Sequence, residues 1–323
     1  MILAGDIGGT KSNLALFVLQ EGKLRKLRQQ RFPSRDYDGL EAVVHEFLSA
    51  APVPVTAAAF GIAGPVSNNR VQATNLPWTV DGEALRDALR APVVLLNDLE
   101  AAGWGLPQLE RDQFLVLQAG TPLETANRAI LAPGTGLGEA ILFWDGRRHV
   151  PSATEGGHAD FAPRNDTEIE LLRFLKRRFV SVSFETVVSG SGFLLIHEFF
   201  DPELRHPEFD RPEEDPAPAI TRRSREGSCA VCRKTVDLWV SLCGAEAGNL
   251  ALKALARGGV YIAGGIVPKI LDEVKAGGFV RAFQEKSKFQ SLLQQIPIYV
   301  VLDEDLPLVG AAVRAAQELK VKS

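Results

Sequence analysis

Hydrophobic and polar positions along this chain switch repeatedly between two periods. Short runs rich in β-branched and aliphatic residues predict strands over Ile2–Ile7, Leu14–Leu19, Leu24–Phe32, Ala57–Ala63 and Val93–Asn97. Five more are predicted over Phe114–Gln118, Ala129–Ala132, Glu139–Trp144, Val260–Ala263 and Ile298–Leu302. Leu40, Val43, Val44 and Phe47 recur at helical spacing and predict a helix over Leu40–Ala50. Further helices are predicted over Asp81–Leu89, with Asp81 as its cap, over Leu99–Gly105, and along Val231–Leu255. Strands alternating with helices in this way indicate an α/β fold.

One pattern occurs twice. Leu3–Thr10 followed by Leu14–Leu19 reads as strand, Gly-rich turn, strand, and Ile130–Gly138 followed by Ala140–Trp144 has the same form about 125 residues later. Two such hairpins predict two related domains facing each other across a cleft. From Asp201 to Ser228 the pattern breaks, with Pro202, Pro207, Pro212, Pro216 and Pro218 among charged residues and few apolar anchors. That stretch is expected to be a surface excursion, and its Arg222-Arg223-Ser224-Arg225 run a solvated loop rather than an anion site.

Composition narrows the class. The chain has 323 residues, 46% hydrophobic and 24% charged, with 36 Lys and Arg against 40 Asp and Glu, a net charge of −4. This balance offers no electrostatic drive toward nucleic acid or an anionic membrane. Three cysteines cannot build a disulfide framework, the first residues lack the basic and apolar regions of a signal peptide, and no apolar run reaches membrane-spanning length. A cytoplasmic protein is expected.

Chemistry concentrates in a few strings. In Asp6-Ile7-Gly8-Gly9-Thr10-Lys11 the glycines let backbone N–H groups approach an anion, Thr10 adds a hydroxyl donor and Lys11 a positive charge. The string is neither a Walker A loop nor Gly-x-Gly-x-x-Gly, and Asp6 is suited to hold Mg²⁺, directly or through water, beside the same phosphates. Gly134-Thr135-Gly136-Leu137-Gly138 offers a second anion cradle in the second half. Asn97-Asp98 closes the apolar strand Val93–Asn97, where α/β sheets bind ligands, so Asp98 is placed either to take a proton from a sugar hydroxyl or to cap the following helix. Glu155-Gly156-Gly157-His158 puts a carboxylate and an imidazole around a glycine pair, an arrangement that can hold adjacent sugar hydroxyls, and Glu185 could join them. Gly264 and Gly265, after the strand Val260–Ala263, could admit an adenine or ribose against the backbone.

Cys229-x-x-Cys232 and Cys243 invite a zinc or redox reading. There is no second Cys-x-x-Cys pair, no histidine follows at finger spacing, and His206 is the nearest histidine before them. Small buried helix residues are the expected role, and His45, His149 and His197 show no ligand spacing.

Taken in order, Asp6–Lys11, Gly61–Pro65, Asn75-Leu76-Pro77-Trp78, Leu96-Asn97-Asp98, Gly134–Gly138, Glu155–Pro163, Ser189–Gly192, Ala263–Pro268 and Gly310-Ala311-Ala312 resemble the bacterial glucokinases of the actin, hexokinase and heat-shock ATPase superfamily. The resemblance covers nearly the whole chain. It implies two ribonuclease-H-like (actin-like ATPase) α/β domains flanking a cleft, a small one over 1–109 plus 304–323 and a large one over 110–303, with the large domain forming a homodimer. It implies a cytoplasmic transferase of carbohydrate metabolism that phosphorylates glucose at the 6-hydroxyl from MgATP, the entry step of glycolysis. Asp98 would be the general base; Asn97, Asp98, Glu155, His158 and Glu185 would bind glucose, with Gly64 and Gly136 touching the ring. Gly8, Gly9, Thr10, Lys11, Gly134, Thr135, Gly136, Gly264 and Gly265 would hold ATP beside Asp6. A kinase for another hexose or N-acetylhexosamine is the alternative, as is a non-catalytic sugar sensor. The related repressor kinases carry a multi-cysteine zinc motif and sometimes an N-terminal DNA-binding helix pair, neither of which this sequence shows, so a transcriptional regulator is not expected.

Overall fold

A computed structural model describes residues 1–210 and 215–320. The chain opens with β1 (Ile2–Ile7), β2 (Lys11–Gln20), β3 (Lys23–Pro33), α1 (Leu40–Ser49) and β4 (Ala57–Ile62). The short strands β5 (Val66–Ser67), β6 (Arg70–Gln72) and β7 (Thr79–Asp81) form a small antiparallel sheet, followed by α2 (Gly82–Leu89), β8 (Val93–Asn97) and α3 (Asp98–Gly105). Next come β9 (Phe114–Gln118), β10 (Arg128–Pro133), β11 (Leu137–Trp144) and β12 (His149–Thr154), then α4 (Asp166–Leu175), α5 (Phe184–Val187), α6 (Gly190–Phe200), α7 (Pro216–Arg225) and α8 (Ala230–Ala254). The last elements are β13 (Val260–Ile262), α9 (Leu271–Lys275), α10 (Gly278–Gln284), α11 (Gln290–Gln295), β14 (Ile298–Val301) and α12 (Leu306–Lys320).

Two compact units result. The first comprises Met1–Arg111, Val150–Ala153 and the chain from Asp303; the second comprises Asp112–His149 and Thr154–Leu302. The first is built on a sheet in the order β3-β2-β1-β4-β8, with β1 antiparallel to β2 and parallel to β4. The second has β12-β11-β10-β13-β14, with β9 added antiparallel at the edge; β10 is antiparallel to β11 and parallel to β13. The two sheets repeat one topology, the ribonuclease-H-like arrangement, and the paired Gly-rich hairpins are the part of that repetition visible in the sequence.

In the first unit, β1 and β4 are buried on both faces. Leu3, Ala58, Phe60 and Ile62 pack against Leu40, Val43 and Phe47 of α1. On the other face Ile2, Ala4, Ala57 and Ala59 meet Leu308, Ala311, Ala312 and Ala315 of α12. That second interface is built of small side chains, so backbones approach closely. A Cβ added to Gly310 would lie 1.7 Å from the Ala101 carbonyl oxygen, and one on Gly61 would lie 2.8 Å from the Ala101 Cβ. The glycines are what let α12 cross α3 and α3 lie on β4.

The core of the second unit surrounds α8, about 37 Å long at 1.5 Å per residue. Trp239 of α8 stacks on Phe193, with centroids 4.6 Å apart, and donates its ring N–H to the Ser189 carbonyl at 3.1 Å.

The ten predicted strands and the four predicted helices are present, with ends displaced by up to a few residues. Strands β5 to β7 lie outside the prediction because strands of two or three residues leave no period to read, and β12 lies outside it because Pro151 and the small residues around it interrupt the alternation. Asp81 caps α2, accepting from Glu83 N and Ala84 N. The expected excursion over Asp201–Ser228 is corrected in part. Asp215 caps α7, and Ala217, Ala219, Ile220 and Ser224 are buried, so four small or apolar residues suffice to dock it. Arg222 and Arg223 pair with Glu208 at 2.6 and 3.1 Å, and Arg225 pairs with Glu273 at 3.1 Å. The arginine run is neither solvated loop nor open anion site. Residues 211–214 of that stretch, and 321–323 of the span 304–323 expected to join the small domain, lie outside the described residues.

Candidate active site

The first unit gathers Asp6, the Gly8–Lys11 turn, Gly64, Asn97 and Asp98 at the C-terminal ends of β1, β4 and β8. These strands are parallel, so their ends share one edge of the sheet, the edge at which such sheets place ligands. The β1–β2 turn is pinned: Gly8 N donates to Lys11 O at 3.0 Å, and Ser34 Oγ donates to Gly8 O at 2.8 Å. A Cβ on Gly9 would lie 2.5 Å from Asn75 Cβ, so Asn75 presses the turn from outside and only glycine fits. Thr10 and Lys11 are exposed beside it.

At the end of β8, Asn97 turns the chain into α3. Its Oδ1 accepts from Leu99 N at 2.9 Å, and its Nδ2 donates to Gly64 O at 3.2 Å. Gly64 has φ +139°, and a Cβ there would lie 2.8 Å from Gln72 O. The helix cap is thus Asn97, not Asp98, which becomes the first helical residue and is half-buried. The Asp6 carboxyl is pushed up to about 7, first by desolvation, then by the negative charge of Asp98, with Lys11 opposing. A hard oxygen donor in a locality of excess negative charge fits Mg²⁺.

In the second unit the β10–β11 turn closes with Gly134 N donating to Gly136 O at 2.8 Å. Glu185, at the start of α5, reaches this turn: its Oε2 accepts from Leu137 N at 2.8 Å, and a Cβ on Gly136 would collide with it at 2.5 Å. The other oxygen lies 3.7 Å from His158 Nδ1. Ser183 and Thr186 form a capping box that fixes α5 and so aims Glu185.

The string Glu155–His158 is a 3-10 turn closed by His158 N donating to Glu155 O at 3.0 Å. Its glycines are pressed onto β11: a Cβ on Gly156 would lie 2.1 Å from Glu139 Oε2, and one on Gly157 2.0 Å from Leu137 O. The pair clears no space of its own; it brings Glu155 and His158, both exposed, down against the β11 backbone. Gly264, at φ +80°, lies against the other side of the turn, where a Cβ would meet Pro133 O at 2.5 Å, while Gly265 has nothing within 4 Å. Gly190 N donates to Gly134 O at 2.9 Å, holding the start of α6 there as well.

A model of the glucokinase family matches residues 3–318. The chain belongs to that family. The glucokinase of Nostoc sp. (strain PCC 7120) is 39% identical over 339 residues, covering 98% of this chain and 99% of that protein. The glucokinase of Synechocystis sp. (strain PCC 6803) is 39% identical over 346 residues, covering 98% of each. A crystal structure of glucokinase from an Antarctic psychrotroph superimposes with a TM-score of 0.86 at 30% identity, over 98% of each chain.

Within this glucokinase-family chain the predicted site residues fall into two sets, one in each unit, and each set is locally assembled. Two structural partners lie outside the predicted set. Asn75 shapes the first turn, and Glu139, buried under Gly156, has its carboxyl pushed up to about 8 by desolvation and by the nearby charge of Glu246. Asn75 belongs to a motif the sequence displays; Glu139 carries no signal, being one acidic residue in an apolar strand.

The expectation for the cysteines is corrected in part. Cys229, Cys232 and Cys243 are buried and free, but the first two lie with His197 and His206, their ligand atoms all within 4.8 Å of one another.

Proposed function

We propose that this chain transfers the γ-phosphoryl group of ATP to the 6-hydroxyl of glucose, with Asp98 as general base. The observation that carries the assignment is the placement of Asp98, which follows the cap residue Asn97 as the first residue of α3 at the ligand-binding edge of the sheet, half-buried and with one carboxylate oxygen accepting from Leu99 N at 2.9 Å. The sugar hydroxyl oxygen bonds to the γ-phosphorus, the bond from that phosphorus to the bridging oxygen breaks, ADP leaves, and Asp98 takes the hydroxyl proton. Such a transfer asks the protein chiefly for positioning and charge stabilisation.

The Gly8–Lys11 and Gly134–Gly138 turns hold phosphates through backbone N–H groups, with Thr10, Thr135 and Lys11 adding donors. Gly264 and Gly265 receive the nucleoside, Gly265 being open for 4 Å around. Asn97, Glu155, His158 and Glu185 bind the sugar hydroxyls, and Gly64 and Gly136 face the ring. Glu185 links two of these elements, since it ties the Gly136 turn and stands beside His158. Asp6 would hold Mg²⁺, directly or through water, and the bound ion neutralises charge on the phosphates.

We place the enzyme in the cytoplasm as a homodimer formed by its larger unit. The three free cysteines suit a reducing compartment, and among the described residues no helix is long and apolar enough to cross a membrane. Light scattering should give about twice the 35.0 kDa of one chain.

The test is ADP release from MgATP across glucose, mannose, fructose, galactose and N-acetylmannosamine, with Asp98→Asn as control. Turnover should be highest with glucose, and kcat should fall about 10²-fold or more in the variant. Preference for another sugar replaces the substrate; near-normal turnover in Asp98→Asn removes the base; glucose binding without ADP release makes the protein a sensor.

A further inference from the structure

Outside the residues assigned to sugar and nucleotide, the second unit buries four metal-type ligands in one place. His197 lies in the last turn of α6, His206 in the segment that follows, Cys229 at the cap of α8 and Cys232 in its first turn. Their exposures are 0%, 8%, 9% and 0%. Each pair of ligand atoms lies within 4.8 Å. We propose that His197, His206, Cys229 and Cys232 form a tetrahedral zinc site that staples the end of α6 to the start of α8.

Four observations converge on this assignment. The first is distance. Cys232 Sγ and His206 Nε2 are 3.4 Å apart, and zinc bonds of about 2.3 Å to sulfur and about 2.0 Å to nitrogen at the tetrahedral angle put such a pair about 3.5 Å apart.

The second is the state of His197. It is fully buried, and neither ring nitrogen has a hydrogen-bond partner among the described residues. Buried imidazoles are ordinarily satisfied, and a metal supplies the missing partner.

The third is the setting of the rings and sulfurs. Phe209 packs edge-on against both imidazoles, at centroid distances of 5.0 and 5.1 Å, and fixes their planes. Cys229 Sγ accepts from Cys232 N at 3.3 Å, which fixes the Cys229 sulfur at the N-terminal end of α8.

The fourth is charge. Two thiolates and two neutral imidazoles make a zinc site of zero net charge, which a buried location tolerates. A two-sulfur, two-nitrogen set selects zinc among the common divalent ions.

The site closes the excursion that begins at Asp201. Its order along the chain, His-x8-His-x22-Cys-x-x-Cys, places both histidines before the cysteines. A search for histidines after the Cys pair passes it by.

The experiment measures metal in the full-length protein produced in zinc-supplemented medium and purified without chelator. Elemental analysis should find about one zinc per chain. Cys229→Ser and His206→Ala should each lower that content to less than about a tenth, while Cys243→Ser, whose sulfur lies outside the cluster, retains it. Replacement by cobalt should give the strong visible bands of a tetrahedral site and thiolate charge transfer, a readout that needs no variant to fold. Wild-type protein without zinc, a content unchanged in Cys229→Ser, an octahedral cobalt spectrum, or a Cys229–Cys232 disulfide in freshly purified protein would each overturn the assignment. None of these readings depends on kinase activity.

Discussion

The carboxylate of Glu185 does two things at once, accepting from the Leu137 backbone on one oxygen and facing His158 with the other. A sugar hydroxyl that meets this pair therefore meets an acceptor and an imidazole whose relative position is set by a backbone hydrogen bond. His158→Ala should raise KM for glucose up to about tenfold, the scale of losing one hydrogen bond to a sugar hydroxyl, and raise KM for ATP much less. Steady-state kinetics with each substrate varied checks this, and equal effects on both would make His158 a structural residue. The roles of Gly156 and Gly157 are legible only in three dimensions. The sequence shows a glycine pair between two functional residues and suggests freedom, whereas the structure shows compression against Glu139 and Leu137.

Secondary-structure elements carry the next level of the argument. Helix α12 crosses α3 at Gly310 with almost no space between backbones. Because α3 begins at Asp98, the crossing also supports the residue assigned as base. Gly310→Val should destabilise the protein by about 1–3 kcal/mol, the usual cost of overpacking, and denaturant unfolding monitored by tryptophan fluorescence would show an earlier midpoint. An unchanged midpoint would mean that α12 shifts freely. The helices and strands read from periodicity are those long enough to show several repeats. Helix α7 was hidden, since four prolines and four arginines between 207 and 225 dominate the pattern while four buried small or apolar residues dock it. Its burial follows from a neighbouring surface, not from its own sequence.

For the molecule as a whole, buried carboxylates link stability to pH. Glu139 has its carboxyl near 8 in the folded protein against an ordinary 4.5. The folded state therefore holds this proton where the unfolded state has released it, and stability from this group falls as pH rises between those values. Thermal midpoints measured from pH 5 to 9 should decline across that window, and Glu139→Gln should flatten the decline and stabilise the protein at its alkaline end. A slope identical in the variant would place the pH sensitivity elsewhere. The same scale holds the repeated sheet topology, in which both units turn a Gly-rich hairpin at the first two strands of their sheets.

The sequence by itself determined the α/β class, the two glycine turns, and the carboxylate at the end of β8, because each is written in consecutive residues whose local conformational preferences agree. It also carried enough ordered motifs to mark the glucokinase family. Tertiary structure alone decided that Asn97 rather than Asp98 caps α3, that Glu185 braces the second turn from 48 residues away, and that two histidines stand beside two cysteines. Those outcomes depend on which distant surfaces meet, and pairing over long chain separations leaves no mark in the local pattern of polar and apolar residues.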